Sequence, residues 1–140
     1  MALTTTTEEV AGRVPITVLA LDGELDASNF ERLIVEVGGL YDRGTRNLLV
    51  DLGGLTFLAS SGLVALHSIV RILHGERPDD LESGWDVLHH LGHDAATGDE
   101  MQREVQLAAP PPAVARVLQR TGMDRLFVIH EGRDAAIAAF

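Results

Sequence analysis

The stretch NLLVDLGGLTFLASSGLVALHSIVRIL, residues 47–73, decides the fold because it changes from a strand pattern to a helix pattern. Its first apolar run, 48–50, is typical of a buried strand, and the segment 51–54 with its two glycines is predicted to end that strand. Apolar residues then recur at helical spacing over 63–73. The stretch therefore predicts a strand, a turn and a helix in succession.

Two hydroxyl side chains, Ser60 and Ser61, stand where this helix is predicted to begin. Serine is favoured there because its oxygen accepts a hydrogen bond from an unpaired backbone N–H, so both residues are candidate helix caps. The same N–H groups and the positive end of the helix dipole also favour an anion, including a phosphate carried by one of the serines. The residues alone leave both roles open.

Composition narrows the class of protein. A chain of 140 residues is long enough for one domain with its own core. Its formal net charge of −10 argues against nucleic-acid binding and against docking on an anionic membrane. There are no cysteines, the N-terminus lacks the pattern of a signal peptide, and no apolar run approaches the roughly 20 residues that span a bilayer. We expect a soluble, cytoplasmic protein.

Strand and helix patterns alternate along the rest of the chain, which predicts an α/β fold with helices covering one side of a sheet. Leu3 to Val10 is a candidate edge strand, and Ser28 is a candidate cap of the first helix. Further strands are predicted at 16–21, 105–108 and 126–129, and further helices at 30–40, 114–118 and 134–140. Asp22 and Gly23 are predicted to end the strand at 16–21, and Thr121 and Gly122 to end the helix at 114–118 as a normal C-cap.

The segment 74–100 differs from its surroundings, because it contains eight acidic residues and one arginine, a net charge of −7. We interpret it as an inserted, solvated excursion within a single domain spanning 1–140, with a short amphipathic helix around Trp85. His89 and His93 would share a helix face, but no established metal-binding motif accompanies them, so we predict no metal and no cofactor.

Four pieces of the chain, in this order, resemble the STAS domain, the fold of bacterial anti-sigma factor antagonists. They are GELD at 23–26, DLGGLTF at 51–57, SSGL at 60–63 and VLQRTGMDRLF at 117–127. The resemblance implies a mixed β-sheet with helices packed mainly on one side, about five strands and four helices, and an acidic insertion after the second helix.

The resemblance also implies a function, with Ser60 at the family's phosphoacceptor position and Ser61 as the alternative. In that family an anti-sigma factor with serine kinase activity binds the unmodified protein and releases a sigma factor, whereas the phosphorylated form does not bind. Asp26 matches an acidic position implicated in partner contact. The residues expected to bind the partner are Asp26, Ser60, Ser61, Gly62 and Leu63.

One departure from the family pattern concerns the residue before the phosphoacceptor, which is usually Asp and is Ala59 here. A kinase that needs that carboxylate would act poorly on this chain. The departure favours an alternative function, a non-phosphorylated STAS scaffold subunit of a signalling or transport complex. The sequence also leaves open whether the chain forms a homodimer.

An enzyme is not expected. A hydrolase nucleophile elbow needs glycine two residues before and two residues after the serine, and neither Ser60 nor Ser61 satisfies that spacing. The chain also lacks the GxxxxGK[ST] phosphate-binding loop.

Overall fold

The computed structural model describes residues 2–76 and 102–140. Within these ranges five strands form one sheet in the spatial order β1-β2-β3-β4-β5. The first pair is antiparallel and the other three pairs are parallel. The strands are β1 (Leu3–Ala11), β2 (Pro15–Leu25), β3 (Leu48–Leu58), β4 (Gln102–Ala108) and β5 (Phe127–His130).

Helices cover the two faces of this sheet unequally. Three of them pack on one face and contribute Leu33, Leu66 and Leu118 to the main core, whereas the last packs on the other face through Ala136. A mixed sheet with helices mainly on one side confirms the predicted fold class. The helices in the described ranges are α1 (Phe30–Asp42), α2 (Ser60–Leu73), α3 (Pro112–Thr121) and α4 (Arg133–Ala139), and a 3₁₀ turn spans Met123–Arg125.

Two strands run further than predicted. β2 continues through Asp22 and Gly23, and β3 continues through Gly53 and Gly54, so the prediction that these glycines end the strands was wrong. A Cβ on Gly54 would lie 3.0 Å from both Oδ1 of Asp22 and the carbonyl oxygen of Leu21. The glycine therefore allows the neighbouring strands to approach where the β2–β3 register shifts.

Other local predictions have mixed outcomes. β1 is an edge strand, and Gly122 ends α3 with a left-handed φ of 78°, which confirms both predictions. Ser28 does not cap α1, because the N-cap residue is Asn29 and the Ser28 hydroxyl donates to Asp26 instead.

No helix in the described ranges is long and apolar enough to cross a membrane. The predictions around Trp85, His89 and His93 lie outside the described residues.

Candidate functional site

The carboxyl ends of β2 and β3 bring the predicted site residues to one edge of the sheet. Leu25 and Leu58 are register partners at the end of this parallel pair. The backbone N–H of Ala59 then donates to the carbonyl oxygen of Leu25 at 3.0 Å. Asp26 directly follows Leu25, and Ser60 stands two residues after Leu58, so the strand register places both residues on the same edge.

A network of short-range hydrogen bonds fixes the loop that carries Asp26. The buried Asn29 accepts from the Asp26 N–H at 3.0 Å and donates to the carbonyl oxygen of Glu24 at 2.8 Å. The Asp26 carboxylate accepts from both the hydroxyl and the backbone N–H of Ser28. These two bonds, the hydroxyl first, lower the pKa of Asp26 below its usual 3.8, because they stabilise the ionised form. The loop therefore presents a negative charge in a fixed position.

Helix α2 begins without a side-chain cap. Its N-cap residue is Ala59, in an extended conformation with φ −84° and ψ 169°. The predicted capping role of Ser60 and Ser61 was wrong, since both are already helical residues. Throughout the described ranges, the Ser60 hydroxyl and the backbone N–H groups of Ser60 and Ser61 have no hydrogen-bond partner. The exposed Ser60 hydroxyl thus stands beside two free donors at the positive end of the helix dipole.

Gly62 and Leu63 lie beneath this surface. Both are buried, and a Cβ on Gly62 would lie 2.5 Å from Cδ1 of Leu58 and 3.0 Å from Cγ of Leu25. The glycine therefore lets the first turn of α2 pack closely on the two strand ends. Their predicted contact with a partner stays a prediction, and in the structure their burial positions Ser60 and Ser61 on the first turn of α2.

Phe57 is a residue of this edge that the sequence reasoning missed. Its side chain is 47% exposed although it is aromatic, and its register partner in β2 is Glu24. Oε2 of Glu24 is buried and has no hydrogen-bond partner in the described part of the chain. The sequence held no signal for this exposure, because strand alternation places Phe57 on the same face as Leu55, a core residue of the same strand.

Comparisons with known proteins agree with this fold. Residues 11–78 match the family model described as Mlab, STAS domain. BtrV of Bordetella bronchiseptica, named as a candidate anti-sigma factor antagonist, is 25% identical over 123 residues, which cover 88% of this chain and 84% of BtrV.

Solved structures of three further proteins share the fold. An anti-sigma factor antagonist from Mycobacterium paratuberculosis gives a TM-score of 0.68 at 22% identity and covers 99% of this chain and 93% of its own. A candidate antagonist from Thermotoga maritima gives 0.67 at 16% identity, with coverage of 95% and 91%. The Bacillus protein SpoIIAA in its phosphorylated form gives 0.57 at 18% identity, with coverage of 96% of each chain.

Proposed function

The chain carries a STAS domain, and from that premise we propose that it is a regulatory binding module, an anti-sigma factor antagonist that is switched by phosphorylation of Ser60. Its partner is an anti-sigma factor with serine kinase activity. The observation that carries the proposal is the exposed, unpaired Ser60 hydroxyl at the uncapped start of α2, on the same edge as the carboxylate of Asp26. The curated relative BtrV is named as a candidate anti-sigma factor antagonist, and the neighbour from Mycobacterium paratuberculosis is named as an anti-sigma factor antagonist.

The electrostatics of this edge suit a phosphate switch. A phosphate adds between about −1.5 and −2 charges at neutral pH. The free N–H groups of Ser60 and Ser61 and the dipole of α2 would stabilise it, so modification need not refold the domain. A partner whose surface complements an edge carrying only the charge of Asp26 would meet two additional negative charges and a larger group, and it would dissociate.

The docking surface consists of the accessible residues of this edge, Asp26, Phe57, Ser60 and Ser61, and we call it the Ser60 edge. Phe57 supplies an apolar anchor next to a fixed charge, a combination that concentrates binding energy in interfaces. Asp26 would favour a basic group on the partner.

Intact-mass measurement tests the switch. We expect the wild-type protein, incubated with its cognate kinase-type anti-sigma factor and ATP, to gain the mass of one phosphate. Ser60→Ala should gain none, and Ser61→Ala serves as the matched control that should be modified normally. Absence of a gain in the wild type, or an equal gain in Ser60→Ala, would reject phosphorylation at this residue.

A binding measurement tests the Ser60 edge separately from the kinase step. We expect Phe57→Ser to weaken binding of the anti-sigma factor about fivefold or more, because truncating a central aromatic anchor commonly lowers the binding free energy by over about 1 kcal/mol. Val35→Ser is the control, since Val35 is 70% exposed on α1 and lies outside this edge. Equal losses for the two variants would contradict the assignment of the surface.

The second candidate function is a scaffold subunit that is never phosphorylated, and Ala59 is the observation that favours it. Without a carboxylate before Ser60, a kinase that depends on this group would have no substrate here. Recovering the chain's partners from its host distinguishes the two functions: a kinase-type anti-sigma factor supports the switch, and a transporter or signalling assembly without a kinase supports the scaffold.

A further inference from the structure

The outer edge of β1 is a long, regular and accessible strand edge. Its nine residues, Leu3–Ala11, pair with β2 in unbroken register, so no bulge twists the edge away from solvent. The strand contains no proline and no lysine, two of the residues by which proteins usually protect such an edge. Most of its side chains are exposed, including the consecutive residues Thr6 to Glu9.

The hydrogen-bond pattern identifies which backbone groups point outward. The N–H of Glu24 donates to the carbonyl oxygen of Ala2, and the N–H of Gly12 donates to that of Val14, so the even-numbered residues at both ends bond inward. Because inward and outward residues alternate in an antiparallel pair, the odd-numbered residues of β1 direct their N–H and C=O groups away from the sheet. These residues are Leu3, Thr5, Thr7, Glu9 and Ala11.

Within residues 2–76 and 102–140, only one of these outward groups has a partner from outside the strand. The guanidinium of Arg32 on α1 donates to the carbonyl oxygen of Leu3 at 2.6 Å. Across the described residues, the outward N–H and C=O groups of Thr5 and Thr7 have none. The centre of the edge therefore offers a row of donors and acceptors to another strand.

We propose that this edge joins two copies of the chain, with β1 pairing antiparallel to β1 of a second copy about a twofold axis at Thr6. The two five-stranded sheets then become one continuous sheet. In this register Thr5 bonds to Thr7 of the second copy, Thr7 bonds to its Thr5, and Thr6 lies opposite its own counterpart.

Charge favours a second copy in this register over an unrelated strand. Glu9 lies opposite Leu3 of the second copy, whose outward carbonyl already holds the guanidinium of Arg32. The twofold axis repeats this acid–base pair on the other side of the interface. In the same register, neither Glu8 nor Glu9 lies opposite the same residue of the second copy. Glu8 is further compensated by Arg133, which contacts it at 3.0 Å. A twofold dimer requires a self-complementary interface of this kind, in which the same surface is used by both copies.

The dimer would leave both Ser60 edges open. Leu3 pairs with Gly23, close to the Asp26 end of β2, so the start of β1 lies near the Ser60 edge of its own copy. Antiparallel pairing then sends the two Ser60 edges to opposite ends of the joined sheet. A dimeric module of this kind can bind two partner molecules at once.

Cysteine cross-linking tests the register directly, because the chain contains no cysteine of its own. Opposed residues at a non-hydrogen-bonded antiparallel position have Cα atoms about 4.5 Å apart, within the range that a disulfide can bridge. We expect Thr6→Cys to form a covalent dimer under mild oxidation. Thr4→Cys is the control, because Thr4 is equally exposed on the same face but would lie about 14 Å from its counterpart. Equal cross-linking of the two variants, or none in Thr6→Cys, would overturn the proposal.

Sedimentation equilibrium tests the strand pairing without a covalent link. Thr7→Pro removes an outward N–H that β2 does not use, so the fold should persist while self-association weakens at least about tenfold, since symmetry removes two hydrogen bonds. Thr7→Val keeps the N–H and should associate as the wild type does. A wild-type protein that stays monomeric up to its solubility limit, or a folded Thr7→Pro that dimerises normally, would refute the pairing.

Discussion

The uncapped start of α2 makes Ala59 the most informative residue to change. Ala59 occupies the N-cap position in an extended conformation and makes no side-chain hydrogen bond there. An Asp or Asn at this position can accept from the backbone N–H groups of the first turn, where those of Ser60 and Ser61 have no partner in the described residues. We therefore predict that Ala59→Asp and Ala59→Asn both stabilise the fold.

The expected gain follows from the cap and from the helix dipole. Replacing alanine by Asn or Asp at an N-cap contributes about 1 kcal/mol to the free energy of unfolding. The charge of Asp at the positive helix end adds between about 0.3 and 1 kcal/mol. An unfolding entropy of about 2.1 cal/mol/K per residue gives a rise in Tm of about 3 °C per kcal/mol for a chain of 140 residues. We expect a Tm increase of about 3 °C for Ala59→Asn and about 4–7 °C for Ala59→Asp.

Urea unfolding as a function of pH separates the two contributions. The helix end lowers the folded-state pKa of the new carboxyl, so its charge-dependent gain is complete above the unfolded value of about 3.9 and is lost as the pH falls through the folded value. The amide of Ala59→Asn does not titrate, and its gain should persist in acid. Two variants no more stable than the wild type at pH 7, or equal gains at every pH, would refute the reasoning.

Four further substitutions test the packing and the electrostatics. Gly62→Ala should lower the free energy of unfolding by about 1–3 kcal/mol, because its Cβ would lie 2.5 Å from a buried leucine methyl group. Gly38→Ala in α1 meets no atom within 4 Å, so it should raise the free energy of unfolding by about 0.5–1 kcal/mol. Urea unfolding measures both changes. Ser28→Ala should raise the pKa of Asp26 towards 3.8, measured by NMR titration of the carboxyl carbon, and an unchanged pKa would show that the hydroxyl contributes nothing. Arg133→Met should lower the free energy of unfolding by about 1 kcal/mol, because the guanidinium bonds two carboxylates while remaining 37% exposed. Urea unfolding at high salt should show a smaller loss, since salt screens exposed charges.

Predictions from the sequence were correct for elements whose signals lie within a few neighbouring residues. They were wrong where contacts with another segment of the chain decide the local structure. The periodicity of α2 and the left-handed glycine that ends α3 depend on a few neighbouring residues, and both predictions were confirmed. Glycine favours turns in isolation, but both Gly53 and Gly54 lie within β3, and β2 approaches Gly54 closely. Ser28 was predicted to cap α1, yet its hydroxyl donates to the Asp26 carboxylate two residues earlier, and Asn29 occupies the N-cap position.

The candidate site likewise contains residues that the sequence predicted and one that it did not. The choice of Asp26 and Ser60 as site residues came from a resemblance, and strand register explains why they share one edge, since Leu25 and Leu58 are opposed at the ends of parallel strands. The exposure of Phe57 could not be predicted, because alternation along a strand says which residues share a face but not whether a helix covers that face.

Ala59 connects the stability of α2 with the proposed switch. An Asp at this position and a phosphate on Ser60 would both accept from the free N–H groups of the first turn, so each reduces what the other can gain. The carboxylate would also restore the family's usual residue beside the phosphoacceptor, whereas Asn restores the cap alone. If a kinase modifies Ala59→Asp faster than Ala59→Asn, it recognises the charge; equal rates that exceed the wild-type rate would instead indicate that an ordered helix start is sufficient.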